Sequence, residues 1–468
     1  MPARGHGLNS FVAAKNSMPS HQPATSPSDR PLPESTDIVV VGGGIVGICT
    51  ALFLAERGVR VCVCEKGRIA GEQSSRNWGW VRQMGRDPIE MPLAIESLAI
   101  WRSLQATPGI DAGFRQTGIT YLCRNDSEVR KAERWAQAGE EFGLEQNVLN
   151  RSQIADLMPG AAADFRMGLH TASDGGAEPD LAVPAMAQAA SELGATILTG
   201  CAVRGVETSG GGISAAITER GPIKCDGVVV AGGVWTRLFL GNLGIDFPQM
   251  KILATVARIG PVAGIPDMPV GGGDFAFRQR LDGGFTVALR NAVLAPIVPD
   301  SFRLLPQFLP TLKRSWREMR LSIGRQFATE LATPRRWRSD EPTTFERTRI
   351  LDPAPVRSLN RRALKTLPAA FPAFSGARIV HEWAGMIDVT PDEIPVMDSF
   401  AECPGLYVAS GFSGHGFGIG PGAGLLVAQL VTGEEPCVDP HPFRLLRLVK
   451  PRSKGSGLRS AAGEERGS

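Results

Sequence analysis

The first residues able to do chemistry are Gly42-Gly43-Gly44-Ile45-Val46-Gly47, a G-x-G-x-x-G spacing. An apolar run, Asp37–Val41, precedes it, and a stretch of helical periodicity, Ile45–Arg57, follows and stops at Gly58. At a strand-to-helix turn this spacing holds a pyrophosphate. Gly42 permits the tight turn, Gly44 lets the backbone come close to the phosphates, and Gly47 lets helix and strand pack closely. The helix opened by Ile45 and Val46 offers free N–H groups and the positive end of its dipole. Glu65 ends the next apolar run, Val59–Glu65, 23 residues after Gly42. Its carboxylate can accept ribose hydroxyls, and its charge would repel a 2′-phosphate.

This spacing alone does not separate a nicotinamide from a flavin dinucleotide. Two further loops favour the flavin. Gln73-Ser74-Ser75-Arg76-Asn77 follows the second strand and is rich in donors. Gly411-Phe412-Ser413-Gly414-His415-Gly416-Phe417-Gly418 ends a late strand and leads into a helix. Such a loop can aim N–H groups at a flavin's pyrimidine oxygen, where charge develops on reduction. His415 has two readings: a side chain that polarises the flavin or binds substrate, or a helper that hydrogen-bonds the loop. Trp78, Trp80 and Trp383 either line a substrate cavity or pack in the core.

Elements that hold these loops alternate between strand and helix. Leu181–Leu193 reads as a helix ended by Gly194, Gly227–Val230 as a buried strand before Ala231-Gly232-Gly233, and Leu406–Ala409 as another strand. Val203–Glu207 and Ile213–Thr218 flank Gly210-Gly211-Gly212, a hairpin signal. The pattern predicts an α/β fold: a Rossmann-type domain with a parallel sheet. Residues 246–374 carry more Pro and Arg and shorter strand patterns, such as Phe275–Phe277 and Phe285–Leu289, and predict a mainly antiparallel α+β domain. The division expected is 36–90, 160–245 and 375–435 for the dinucleotide domain and 91–159 with 246–374 for the substrate domain. Residues 1–35 and 449–468 are rich in small and polar residues and are expected to be a disordered leader and tail.

At 468 residues the chain needs no disulfide or metal staple, because a chain this long buries roughly 75% of its unfolded surface. The 55 glycines fall in clusters without a repeat, which excludes collagen. Eight cysteines include no C-x-x-C pair and read as buried thiols in a reducing compartment. With six scattered histidines, no metal site is expected. No run of 18 uncharged apolar residues predicts a membrane-spanning helix.

Together, the glycine turn, Ser74-Ser75-Arg76-Asn77, Ala231-Gly232-Gly233-Val234-Trp235 and Gly411–Gly418 resemble the D-amino-acid-oxidase-like flavoproteins, which include the glycine and sarcosine oxidases. The resemblance runs from Asp37 to about Gly433. Within that group the chain resembles the bacterial L-amino acid deaminases through Glu65–Ser74, Cys201–Thr208, Ala231–Phe247 and Asp439–Phe443. It implies FAD, with Lys66, Val203, Ala231, Gly232 and Trp235 joining the cofactor site, and an antiparallel sheet over the flavin. It also implies oxidative deamination: hydride passes from Cα to flavin N5, and the imine is hydrolysed to a 2-oxo acid and ammonia.

The chain departs from these families at named positions. Ile387 stands where glycine and D-amino acid oxidases carry the arginine that grips the substrate carboxylate. The deaminase motif that supplies another arginine corresponds to Val287-Ala288-Leu289-Arg290, so the resemblance assigns the carboxylate to Arg290, whose guanidinium suits bidentate binding. Gly385 stands where covalent sarcosine oxidases attach the flavin through Cys, so non-covalent FAD is expected. His415 replaces a deaminase tryptophan, and Gly414-His415-Gly416 is instead similar to sarcosine oxidases. A secondary-amine oxidase and a flavin-binding subunit of a larger complex are therefore the rival readings.

Residues 303–338 hold nine basic side chains and two acidic ones, a net +7, so the remainder sums to −4 in a chain of net +3. Leu305, Phe308, Leu309, Leu312, Trp316, Met319 and Ile323 give a broken apolar stripe there. The stretch is either a solvated helix on the substrate domain or a membrane-surface helix that brings the enzyme to a quinone or cytochrome acceptor. No nucleic-acid motif accompanies the charge. The expected partners are an amino acid or amine and O2 or a membrane acceptor, in a cytoplasmic or peripheral inner-membrane protein.

Overall fold

The computed structural model describes residues 30–107, 110–162, 164–290, 293–315 and 319–449. The expected leader and tail, Trp316, Arg317 and Glu318 lie largely or wholly outside these residues.

A six-stranded sheet runs in the order Val396–Ser399, Leu406–Ser410, Gly227–Val230, Ile38–Val41, Val61–Cys64 and Thr196–Leu198. All neighbours are parallel except the edge pair Val396–Ser399 and Leu406–Ser410. The alternating side chains of its central strands serve two separate cores. Ile38, Val40, Val61 and Val63 face one side, with the helices Ile45–Glu56, Pro179–Glu192 and Gly416–Thr432. Val39, Cys62 and Cys64 face the other, with Cys201, Cys225 and the hairpin Val203–Ser209/Gly212–Thr218. Burial on both faces is what a parallel sheet requires, and it explains the unbroken apolar runs. Seven of the eight cysteines are buried thiols and Cys437 is half-buried.

A ten-stranded, mainly antiparallel sheet forms the second layer. Its centre is the long pair Met250–Ile259 and Ile379–Val389, followed by Phe285–Ala288 and Ala276–Gln279. A phenylalanine cluster, Phe275, Phe277, Phe285, Phe371 and Phe374, fills the core beneath it.

Three segments sit elsewhere than the sequence reading put them. The helix Met91–Ala106 packs on Gly416–Thr432 and joins the parallel-sheet core, because Leu93, Ala94, Leu98 and Trp101 form its apolar face. Met167–Thr171, expected in the dinucleotide domain, pairs with Ile119–Cys123 in the antiparallel sheet, and so does Ile379–Val389. The strand Ile379–Val389 thus belongs to the antiparallel sheet, and its last residue bridges to Phe412 in the carboxy-terminal glycine loop. Nor is 303–338 one helix: it holds the end of Pro299–Arg303, the helix Leu305–Ser315, a strand Met319–Ser322 and the helix Arg325–Ala332 after Gly324. No helix among the described residues is long and apolar enough to cross a membrane.

Candidate active site

The turn after Ile38–Val41 is glycine by steric necessity. Gly42 has φ +116°, and a Cβ there would lie 2.4 Å from the Ala231 carbonyl oxygen. A Cβ on Gly47 would lie 2.1 Å from the Gly42 carbonyl oxygen, so Gly47 serves helix–strand packing and does not line the cavity. Gly44 differs: the nearest atom to a Cβ is Ser74 Oγ at 3.3 Å, so its cavity side is open. Ser74 Oγ accepts the Ile45 N–H at 2.9 Å and ties the second loop to the helix start.

Glu65 braces the same turn. Its Oε2 accepts the Gly43 N–H and its Oε1 the Gly67 N–H, each at 2.7 Å. Burial pushes its carboxyl up, against the pull of Lys66 and those two N–H groups. Lys66 donates to Glu72 at 2.7 Å and lies 4.6 Å over the Trp235 ring, whose Nε1 also donates to Glu72, at 3.0 Å. Arg76 is buried, with Nη1 on Asp352 at 2.7 Å and on the Ala384 carbonyl at 2.9 Å. A Cβ at Gly385 would meet Arg76 Cβ at 3.2 Å, so the two residues pack closely. Asn77 donates to the Ser74 carbonyl at 2.8 Å and accepts from the Gly79 N–H at 2.7 Å, which shapes the turn.

Most of these loops border one cavity of about 760 Å³. Gly42, Gly44, Ile45, Val46, Glu65, Lys66, Gln73, Ser74, Arg76, Asn77, Val203, Ala231, Gly232 and Trp235 line one part. Gly414, His415, Gly416, Phe417 and Gly418 line another, with Ile387, Trp78, Trp80 and Arg290. Ser75 is a correction: it stands off the cavity and its Oγ donates to the Glu72 carbonyl at 3.4 Å. Trp383 is a core residue, buried, with Nε1 donating to the Arg76 carbonyl at 3.0 Å.

The carboxy-terminal loop is held from below by Asp388. This carboxylate is fully enclosed and accepts the Gly411 N–H at 2.7 Å, Gln249 Nε2 at 3.1 Å and Ser410 Oγ at 3.2 Å. Left-handed φ values at Gly411, Ser413 and Gly414 then turn the chain toward the cavity. His415 Nδ1 lies 2.9 Å from Glu90, whose side chain has no solvent exposure. A carboxylate only accepts, so Nδ1 carries the proton, and in the neutral ring Nε2 keeps its lone pair. Burial, helped by Arg86 and Arg82, holds the imidazole below its ordinary pKa, while Glu90 pulls the other way.

Arg290 stacks 4.2 Å over the Tyr121 ring and donates to the Gly272 carbonyl at 3.0 Å. Glu72, Arg82, Arg86, Tyr121 and Asp388 also line the cavity, and no sequence reading singled them out. Arg82 and Arg86 follow the donor-rich loop four residues apart, and that pair of cations was the available signal. No cluster of three or more metal-ligating side chains occurs among the described residues.

The donor set fits a dinucleotide. An open Gly44, a helix start facing the cavity, an acidic residue at the end of the second strand and a second glycine loop all border one elongated space. Comparisons with known proteins agree. The family model described as FAD dependent oxidoreductase matches residues 37–430. Glycine oxidase from Pseudomonas putida is 25% identical, covering 87% of this chain and 98% of its own length. The L-amino acid deaminase of Proteus myxofaciens, solved in complex with anthranilate, is 32% identical with a TM-score of 0.87, over 91% of this chain and 96% of its own. The corresponding enzyme of Proteus vulgaris is 32% identical with a TM-score of 0.86, over 91% of this chain and 100% of its own. The chain belongs to the D-amino-acid-oxidase family of FAD-dependent oxidoreductases.

Proposed function

We propose that this enzyme oxidises the C–N bond of an amino acid at a non-covalently held FAD. The observation that carries the reading is the meeting of Arg290, His415 and the two glycine loops around one cavity. FAD, when bound, supplies the hydride acceptor. Gly44, Ile45 and Val46 would hold its pyrophosphate, Glu65 its ribose, and the Gly414–Gly418 loop its pyrimidine edge. The Gln73–Asn77 loop, Lys66, Val203, Ala231, Gly232 and Trp235 would form the walls along it. Gly385 has no side chain to form a bond with the flavin, which supports non-covalent binding.

Substrate handling then falls to the chain's own side chains. Arg290 binds the α-carboxylate, and its ring contact with Tyr121 keeps the guanidinium in place. A neutral His415 with a free Nε2 lone pair can take a proton from the substrate ammonium, because only a neutral amine gives up hydride readily. Glu90 holds the required tautomer and would steady the imidazolium that forms. Aromatic side chains (Trp78, Trp80 and Tyr121) keep water from the reacting carbon.

The Gly414-His415-Gly416 loop favours a second reading, oxidation of a secondary amine. Anaerobic mixing of the purified protein with amino acids and N-methyl amino acids, while flavin absorbance is followed, tests both. Flavin bleaching with ammonia release supports deamination, and formaldehyde release supports the second reading. Bleaching by no amine defeats both.

For the electron acceptor the exposed apolar residues matter. Phe302, Leu305, Leu309, Leu321, Ile323 and Leu331 are 41–78% exposed and lie in the basic 299–332 module that borders the cavity. This surface supports a peripheral contact with an anionic membrane and a quinone-linked acceptor. Sedimentation with anionic vesicles tests it, and Ile323→Glu with Phe302→Glu should abolish the binding. If the native protein stays in the supernatant, O2 becomes the favoured acceptor.

A further inference from the structure

The wall beside the carboxy-terminal loop holds more positive charge than an α-carboxylate needs. Arg86 is 6% exposed, lines the cavity, and has an Nη1 with no hydrogen-bond partner among the described residues. Its Nε reaches only the Arg82 carbonyl, at 3.4 Å. The two nearby acids attract it without a hydrogen bond: Glu90 faces His415 Nδ1 and keeps an Oε2 with no hydrogen-bond partner among the described residues, and Asp174 accepts the N–H groups of Gln83 at 2.7 Å and Met84 at 3.2 Å. Neither forms an ion pair with Arg86 among the described residues. Trp80 Nε1, on the same wall, is also a buried donor without a partner. A buried guanidinium left in this state is costly unless an anion completes it.

Arg290 and Arg86 flank one row of rings. Arg290 lies over Tyr121 at 4.2 Å and over Trp135 at 5.5 Å. Tyr121 in turn contacts Trp135 at 5.0 Å and Trp80 at 5.7 Å between centroids. Trp135 packs on Gly85, next to Arg86, and Arg86 Nη2 and the Trp80 carbonyl both lie near Gly418 in the first turn after His415. A substrate along this row would meet both cations, with His415 lining the same cavity.

We propose that the substrate carries a second carboxylate, so that Arg290 takes the α-carboxylate and Arg86, backed by Arg82 and the Trp80 N–H, takes the side-chain one. The substrate class is therefore an acidic, dicarboxylic amino acid. This rests on the amino-acid-oxidising reading above. Two guanidinium groups on one wall suit a carboxylate with two oxygens better than the single pyrimidine oxygen of a flavin.

The test uses the flavin-loaded full chain. Anaerobic titration with glutamate and aspartate, in both configurations, is compared with glutamine, asparagine and norvaline. Binding of glutarate, which cannot be oxidised, is compared with butyrate through the perturbation of flavin absorbance. Acidic compounds should act at concentrations at least about tenfold lower, the scale of one hydrogen bond to a charged group. Arg86→Gln should collapse that ratio, with Arg86→Lys restoring part of it, and thermal unfolding checks that each variant is folded. Equal response of the native protein to acidic and neutral compounds overturns the proposal, as does an unchanged ratio in Arg86→Gln. An unchanged ratio with altered sulfite binding at the flavin would assign Arg86 to the cofactor instead. If neutral amino acids alone bleach the flavin, only the dicarboxylate inference fails. If no amino acid does, the reading beneath it fails as well.

Discussion

Glu65 and Gly43, 22 residues apart in the chain, meet at 2.7 Å, and the same carboxylate holds Gly67 through its other oxygen. One side chain thus locks the end of the second strand to the glycine turn that follows the first. In the proposed complex it also faces the ribose, so it acts in both the empty and the loaded protein.

Glu65→Ala should therefore damage two properties. Leaving the Gly43 and Gly67 N–H groups unpaired costs about 1–3 kcal/mol each when they are buried. Urea unfolding of the flavin-free protein measures that loss, and dialysis measures flavin retention. Glu65→Gln, which keeps one acceptor, should retain more of both. Unchanged flavin occupancy in Glu65→Ala would remove the ribose assignment.

Gly47→Ala tests the packing argument. The new methyl would stand 2.1 Å from the Gly42 carbonyl oxygen, so the helix must move away from the strand. Overpacking of this kind costs about 1–3 kcal/mol and disturbs the phosphate turn. Denaturant midpoint and flavin occupancy should both fall; a native midpoint would show that the helix shifts at no cost.

Arg290→Ala should raise KM for an amino acid by about tenfold to a hundredfold, the range of a lost hydrogen bond to a charged group. An uncharged amine of similar size should be far less affected. Equal effects on both would withdraw the carboxylate role.

Non-covalent flavin has a direct test. Acid precipitation should leave the yellow colour in the supernatant, because Gly385 offers no thiol. Colour that stays with the pellet would locate a covalent bond elsewhere in the chain.

Asp174 sets a pH dependence of stability. Burial pushes its carboxyl from 3.8 up to about 6, against two backbone N–H groups and the two arginines. A raised carboxyl pKa means that the folded state binds the proton more tightly than the unfolded one. The stability it contributes is complete below pH 3.8 and is lost as pH rises through about 6. Two units amount to about 3 kcal/mol as an upper bound. Urea titrations at pH 4.5 and 7 should show this loss in the native protein and less of it in Asp174→Asn. Equal pH dependence in both would assign the effect to other groups.

Local signals carried the nucleotide half of the molecule. The run Ile38–Val41, the turn Gly42–Gly47, Glu65 and the loop Gly411–Gly418 are each defined by neighbours in sequence, because a strand, a turn and a helix start impose their residue types over a few positions. Resemblance to a known family added Arg290 and the empty role of Ile387. Neither the composition nor any periodicity revealed the Glu90–His415 pair, 325 residues apart, or the orphaned guanidinium of Arg86. The sheet membership of Met167–Thr171 was equally hidden, since either layer could have accepted a short strand. Whether an ionisable group has lost water and which partners remain to it depend on segments distant in the chain. Sequence by itself therefore determined the cofactor turn and the order of the elements. Tertiary packing alone decided which charges face the cavity, because desolvation and long-range pairing exist only once the two layers close on each other.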